Sequence, residues 1–296
     1  MSGIAEKTIQ SYAAEFGFSA AYCFAPQAED HTEDWVRALV LLIRPYLPGG
    51  RLMDHFYPAS NAAYHAAKEM ADRIAAECGI RAERCSNLKL KPMCRRHPSF
   101  GTGKNTLNYL PGVGSRFCME LLGLSEPVDT ELAAPYPKGE LPCGDCGRCA
   151  AACPTKAITA DGFVKERCIR FHMMSGKPMP EEMRGLVGSD AGTRGVLGCD
   201  ICQRVCPANT EIEKYRTAED AFTLEELLEC TGDTLERFAA LYGRNYANRN
   251  RILAQAVLAA GNHDPEKYRE QIQQLAQSPS PALSEHAQYV LKNMKK

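Results

Sequence analysis

The chain has 296 residues, with 35 Lys and Arg against 36 Asp and Glu and a formal net charge of −1. That balance excludes a molecule-wide attraction to nucleic acid or anionic membrane and leaves any polyanion site to a local patch. Hydrophobic residues at 45% and charged residues at 24% are the composition of a soluble globular protein, long enough for two or three domains. The first ten residues lack the basic-then-apolar pattern of a signal peptide. The longest apolar run, Ala38 to Ile43, is far short of a membrane span and reads as a buried strand, so a cytoplasmic chain without a membrane segment is expected.

The pattern up to about Pro137 alternates helix and strand. Ile9, Tyr12, Ala13 and Phe16 have helical spacing over Glu6 to Phe16, and Gly17 closes that helix. Phe18 to Phe24 reads as a strand, and Trp35 to Arg44 as a longer one ended by Pro45, with Pro48, Gly49 and Gly50 forming a loop beyond. Asn61 to Cys78 is an amphipathic helix stopped by Gly79. Gly101 to Gly114 is rich in glycine and turn residues, and a short apolar segment runs on through Leu124. The expectation for residues 1–137 is a small α/β domain with a mixed sheet. A linker with Pro135, Pro137 and Pro142 leads into a cysteine-rich segment, Cys143 to Asn209. From Thr223 the pattern is helical, over Leu224–Glu229, Leu235–Tyr242, Ile252–Ala260, Tyr268–Gln277 and Leu283–Met294. Short paired helices joined by tight turns suggest a HEAT-like stack. The fold class expected is α+β, in three parts: 1–137, 138–215 and 216–296.

Fourteen cysteines is a high count, and eight lie between Cys143 and Cys206. Cys143-x2-Cys146-x2-Cys149-x3-Cys153-Pro154 is the bacterial ferredoxin run, in which three thiolates surround one [4Fe–4S] cube and the fourth ligates the other. A second run, Cys199-x2-Cys202-x3-Cys206-Pro207, is one cysteine short, and Cys168 between the runs supplies it. This logic assigns Cys143, Cys146, Cys149 and Cys206 to one cube, and Cys153, Cys168, Cys199 and Cys202 to the other. Structural zinc is the rival, but zinc ribbons rarely carry one full run echoed by a second C-x2-C-x3-C-P. Two adjacent cubes with all-cysteine ligation form an electron relay, so chemistry belongs to a further cofactor or a partner. The other six cysteines, Cys23, Cys78, Cys85, Cys94, Cys118 and Cys230, are expected in the core. Cys85 and Cys94 lie in a basic stretch (Arg84, Lys89, Lys91, Arg95, Arg96) that can lower a thiol pKa. His97 and His172 are read as surface or hydrogen-bonded, and Trp35 as core.

The eight-cysteine order resembles the epoxyqueuosine reductases, cobalamin-dependent enzymes that complete the queuosine modification of tRNA. Gly103-Lys104-Asn105-Thr106, with Gly114-Ser115 and Phe117, is similar to the family's glycine-rich segment. Tyr64-His65 falls where the family has Asp-Tyr-His. Gly198-Cys199-Asp200-x-Cys202-Gln203-x-Val205-Cys206-Pro207-x-Asn209 matches closely, as do Gly261-Asn262, Ser280-Pro281 and Glu285-His286-Ala287. The resemblance implies that the N-terminal and ferredoxin-like domains enclose cobalamin, that the clusters feed electrons to it, and that the HEAT-like tail holds tRNA. It implies corrinoid contacts from Gly101, Gly103, Lys104, Asn105, Thr106 and Ser115, with Lys104 and Asn105 offering donors. It also implies a monomer served by an external electron donor of flavodoxin or ferredoxin type.

The departures bear on the chemistry. The family's general-acid aspartate, counted back without gaps from the glycine-rich segment, falls on Arg84, whose pKa above about 12 bars it from giving up a proton. The neighbours Glu83 and Cys85, and Tyr64, are the candidate substitutes. Cys168-Ile169-Arg170-Phe171 stands for the family's Cys-Ile-Ser-Tyr, and Ala254-Gln255 for its Arg-Asn. Arg249-Asn250-Arg251 lies about one turn upstream. These arginines and Lys267, Arg269, Lys292, Lys295 and Lys296 are expected to meet phosphates if tRNA binds. The function expected is a reductase of the epoxyqueuosine reductase type. The alternatives are an electron carrier with no substrate of its own, and a corrinoid reductase of a small molecule in the manner of the dehalogenases.

Overall fold

The computed structural model describes residues 3–129, 143–189, 192–215 and 219–294. The expected proline linker lies outside the described residues. The chain forms two compact units. The first comprises Met1–Tyr46, Pro58–Gly103 and Leu107–Gly144; the second comprises Leu47–Tyr57, Lys104–Thr106 and Asp145–Lys296.

In the first unit, β1 (Ile4–Ala5) leads into α1 (Glu6–Glu15), followed by β2 (Ala20–Phe24), a 3-10 turn at Ala28–Asp30, and β3 (Ala38–Pro45). Then come α2 (Phe56–Cys78), β4 (Ala82–Arg84), α3 (Leu90–Arg96), the short strands β5 (Gly101–Thr102) and β6 (Asn108–Tyr109), β7 (Phe117–Leu124) and β8 (Val128–Asp129). The main sheet has the order β2-β3-β7-β4, and every pairing in it is antiparallel. The expected mixed sheet is therefore corrected, since among the described residues the one parallel pairing in this unit is the two-residue β1–β8 contact outside that sheet. The alternating pattern suggested helical crossovers, but β2 and β3 are joined without an α-helix. β3 and β4 do run the same way, and β7 enters between them. Ala38 through Ile43 are at most 3% exposed, because side chains of a strand alternate between two covered faces. Leu39, Leu41 and Ile43 pack with Phe117, Leu121, Met93 and Cys94. α2 begins at Phe56, five residues before the expected start, and takes in Pro58 within its first turn, where a missing N–H costs nothing.

The second unit holds short helices α4 (Arg148–Ala152), α5 (Ile169–Ser175), α6 (Glu181–Arg184), α7 (Ile201–Arg204) and α8 (Thr210–Glu213), with a hairpin of β9 (Ile158–Thr159) and β10 (Gly162–Phe163). Its tail is α9 (Leu224–Glu229), α10 (Gly232–Tyr242), α11 (Arg249–His263), α12 (Arg269–Leu275) and α13 (Pro281–Asn293), close to the helices expected from periodicity. α11 is the axis of this region. Ile252 through Ala260 are all buried, and α9 and α13 pack against the helix. Thr223 closes a capping box with Glu226 at the start of α9, satisfying two of the orphan N–H groups of a helix end. Among the described residues no helix is long and apolar enough to cross a membrane.

Candidate iron–sulfur centre

Short loops with little regular structure cannot hold themselves in place, so the cysteine runs rely on side chains for their shape. α4 and α7, the helical turns inside the two runs, pack against each other and bring the second-unit parts of the runs side by side. Asp200, between Cys199 and Cys202, is fully buried. Its carboxylate meets Arg194 at 2.7 Å and Arg204 at 3.2 Å, and Arg194 in turn donates to the Gly49 carbonyl at 2.8 Å. The turn entering Cys199 has two residues with positive φ, Leu197 at 46° and Gly198 at 127°. Glycine is needed at 198, where a Cβ would stand 2.6 Å from that of Asp54. Leu197 is held there by its N–H, which donates to Gln255 Oε1 at 3.0 Å, and by its carbonyl, which accepts from the Asp54 N–H at 3.3 Å. Buried Asn209 donates to the Gln203 carbonyl at 2.9 Å and fixes the turn around Cys206 and Pro207.

The thiols sit in settings suited to metal thiolates. Burial pushes Cys153 up, but the Thr155 hydroxyl and the N–H groups of Ala157, Thr155 and Ile158 outweigh it and leave the thiol below its ordinary range; the Ala157 N–H reaches the sulfur at 3.3 Å. Hydrogen bonds to a charged form favour that form. Burial pushes Cys199 well up, with Cys202 and Cys168 adding repulsion. Cys202 is pushed up to about 12 by burial, eased by a hydrogen bond from the Asn105 side chain and raised further by repulsion from Cys149 and Cys168. Buried thiols that repel one another when ionised, yet receive N–H donors, are relieved by a cationic cluster, so this donor set fits iron–sulfur ligation. Among the described residues no three His, Cys, Asp or Glu side chains converge on a single ion position; a cube, with each thiolate on a different iron, does not require it.

The glycine-rich loop is tied to these motifs. Lys104 Nζ donates to the Cys146 carbonyl at 3.0 Å, and Asn105, 8% exposed, donates to Cys202. The donors expected to reach a corrinoid thus have partners on the cysteine loops. Gly101 has a packing reason of its own, because a Cβ there would lie 2.1 Å from the Tyr109 ring. Ser115 is buried, and Thr106 has a φ of 63°.

The candidate proton donors fall out differently. Glu83 pairs with Arg81 at 2.7 Å, which holds its carboxyl below the usual range and keeps it ionised at neutral pH. Cys85 is pushed up by burial, and Cys94 up to about 11 for the same reason. The expectation that the basic stretch lowers these thiols is therefore corrected, because desolvation exceeds the pull of neighbouring cations. Tyr64 lies under the Arg84 guanidinium, 4.3 Å from its ring centre. Arg84 donates to Glu120 at 2.8 Å. Glu120 was missed in the sequence because it sits inside an apolar strand with no motif around it. It is 8% exposed, and burial raises its carboxyl above the ordinary range although Arg84 pulls it down.

The tail arginines and lysines are also engaged. Arg249 donates to the Cys230 carbonyl and Arg251 to the Asn245 carbonyl, while Lys267 pairs with Glu225, Arg269 with Glu266 and Lys292 with Glu181. Lys295 and Lys296 lie outside the described residues. His172 Nε2–H donates to the Glu166 carbonyl at 2.7 Å, and His97 Nδ1 accepts from the Ser99 N–H at 3.2 Å, so both histidines serve local structure.

Residues 142–209 match the family described as a 4Fe-4S double cluster binding domain. The epoxyqueuosine reductase of Lactococcus garvieae (strain Lg2) is 34% identical over 168 residues, 54% of this chain and 45% of that protein. That of Aliivibrio fischeri (strain ATCC 700601 / ES114) is 34% identical over 133 residues, 44% and 33% of the two chains. The chain thus spans less than half the length of these curated relatives. A crystal structure of epoxyqueuosine reductase with an epoxyqueuosine-modified tRNA-Tyr stem loop superposes with a TM-score of 0.77, at 18% identity over 98% of this chain and 90% of that one. The Bacillus subtilis epoxyqueuosine reductase gives 0.74, at 19% identity over 96% and 89%. The chain has the fold of the epoxyqueuosine reductase structures and carries a double-cluster binding segment.

Proposed function

We propose that this protein is a cytoplasmic iron–sulfur reductase of the epoxyqueuosine reductase type, dependent on cobalamin and acting on tRNA. The observation that carries the reading is the pair of cysteine runs packed through α4 and α7, with N–H donors on Cys153, Cys199 and Cys202. The sequence relatives and the tRNA-bound structural neighbour support it. Cys143, Cys146, Cys149 and Cys206 would hold one cube, and Cys153, Cys168, Cys199 and Cys202 the other. When bound, the cubes supply a one-electron relay from an external donor of flavodoxin or ferredoxin type. The protein's part is to fix the loops through Asp200, Arg194 and Asn209, and to keep water from the buried sulfurs. The three-part division at 137 and 215, the HEAT-like reading of the tail and a monomeric state belong to the same proposal.

For cobalamin the residues first assigned do not make a free cradle, because Lys104 and Asn105 serve Cys146 and Cys202; no step is derived through it. Of the carboxyls near Arg84, Glu120 rather than Glu83 is suited to hold a proton. The engagement of Lys104 and Asn105 and the arginine at position 84 favour one second reading, an electron carrier without a corrinoid. Anaerobic reconstitution followed by cobalamin titration separates the two. Tight binding with a base-off cobalt EPR signal is the result expected of the reductase. Fully loaded clusters with no corrinoid binding would leave the carrier, and retention of a tRNA stem loop at low salt, where phosphate contacts are strongest, checks the substrate class.

A further inference from the structure

A cavity of about 290 Å³ opens in the second unit, lined by the end of α5, the first turn of α11 and the start of α13. Its inner wall is Met173, Met179, Ala254 and Ala282 with Gln255 and His286, all buried. The two polar groups of that wall are already satisfied. Gln255 donates to the Met173 carbonyl and accepts from the Leu197 N–H, each at 3.0 Å, while His286 is held by the Ala254 carbonyl and the Met179 N–H. The outer lining is of another kind. Arg251 is anchored through Nη2 to the Asn245 carbonyl at 2.7 Å. Beside it stand Lys177, Asn250 and Ser280, whose side chains have no hydrogen-bond or ion-pair partner among the described residues. None of the lining residues is acidic, and none is a cysteine.

We propose that this cavity binds a single nucleotide, with its phosphate against Lys177 and Arg251 and its apolar body on the methionine-lined wall. Two cations with no carboxylate beside them select an anion, and in a chain of net charge −1 that attraction has to come from such a local patch. A phosphate carries several acceptor oxygens, which matches the guanidinium fork, the ammonium, the amide and the hydroxyl gathered there. The inner wall has no hydrogen-bonding capacity to spare, so it suits a flat apolar surface, and methionines adapt to such shapes. The volume stands at the small end of ligand pockets, which run from roughly 300 to 1,000 Å³, and so admits one nucleotide rather than several. The nucleotide is either free or one unit of an RNA strand. The site goes beyond the reductase reading, since it uses neither the clusters nor a corrinoid.

The test is equilibrium binding of adenosine 5′-monophosphate and of a tRNA stem loop to the reconstituted full chain, with Lys177→Glu, Arg251→Gln and Lys214→Glu beside the wild type. Lys214 is an exposed cation of the same unit outside the cavity, and its variant controls for overall charge. Losing one charge-assisted hydrogen bond should weaken binding about tenfold in each cavity variant, with little change in the control, and inorganic phosphate should compete. Lys177 is exposed, so its variant keeps the test open if Arg251→Gln fails to fold. Mononucleotide binding that follows this pattern assigns the site to a free nucleotide; the pattern in the stem loop alone assigns it to a strand. A wild type that binds neither probe, or losses in Lys214→Glu equal to those in Lys177→Glu, would overturn the proposal. A stem loop held equally by every variant, with no mononucleotide bound, would also overturn it and leave the reductase reading standing.

Discussion

The two units solve the burial of charge in opposite ways. In the first, the sheet core is aliphatic, with Leu39, Val40, Leu41, Leu42 and Ile43 fully buried, and its buried carboxyl Glu120 is paired with Arg84, whose side chain remains 22% exposed. In the second, Asp200 at 0% meets Arg194 at 4%, beside buried Gln203, Asn209, Gln255 and His286. The difference follows from backbone geometry. Strands satisfy their own polar groups in the ladder, so apolar side chains suffice; cysteine loops do not, and buried side chains must supply the partners. Glu120 in the first unit is matched by a partly exposed arginine, whereas Asp200 in the second is part of the buried frame that shapes its cysteine loop.

The largest expected effect comes from breaking that frame. Asp200→Ala leaves the buried Arg194 without its carboxylate, which should cost about 4 kcal/mol and reduce iron retention after reconstitution. Denaturant unfolding and iron quantification check it. A loss below about 1 kcal/mol with full iron would show that the loops hold themselves.

Acid should loosen the second unit next. His286 donates through Nδ1 to the Ala254 carbonyl at 2.7 Å and accepts at Nε2 from the Met179 N–H at 2.9 Å. This is the neutral form, and burial brings its pKa down to about 4. The unfolded histidine titrates near 6.5, so the unfolded state binds more protons between the two values and stability falls as pH drops from about 6.5 to 4. The loss is about 3 kcal/mol, and stability measured across that window should show it. A His286→Gln variant should lose less over the same range.

The smallest effect tests the contrast from the other side. Arg84→Met should cost only about 1–2 kcal/mol at neutral pH, because the Arg84 side chain is partly open to solvent, which screens the pair. The loss should shrink as pH falls through the carboxylate range. A cost as large as that of Asp200→Ala would erase the distinction between the units.

Much of this was legible in the amino-acid order. Cysteine spacing identified the double-cluster segment, since metal geometry demands particular intervals, and residues 142–209 match that family. Helical periodicity located α1 and the five tail helices because an amphipathic face repeats locally. Strand direction was not legible: an apolar run such as Ala38–Ile43 is the same in either orientation, and only long-range pairing made the sheet antiparallel. Nor were the partners of lone charged and amide residues. Glu120 against Arg84, Asp200 between two arginines, and Asn105 on Cys202 join positions far apart in sequence or hidden inside a motif. Local pattern determines which elements form and which residues are suited to metal, because both depend on neighbours a few positions away. Tertiary structure decides which proton, charge or hydrogen bond each polar side chain meets, because those are set by burial and by residues the chain brings back from a distance.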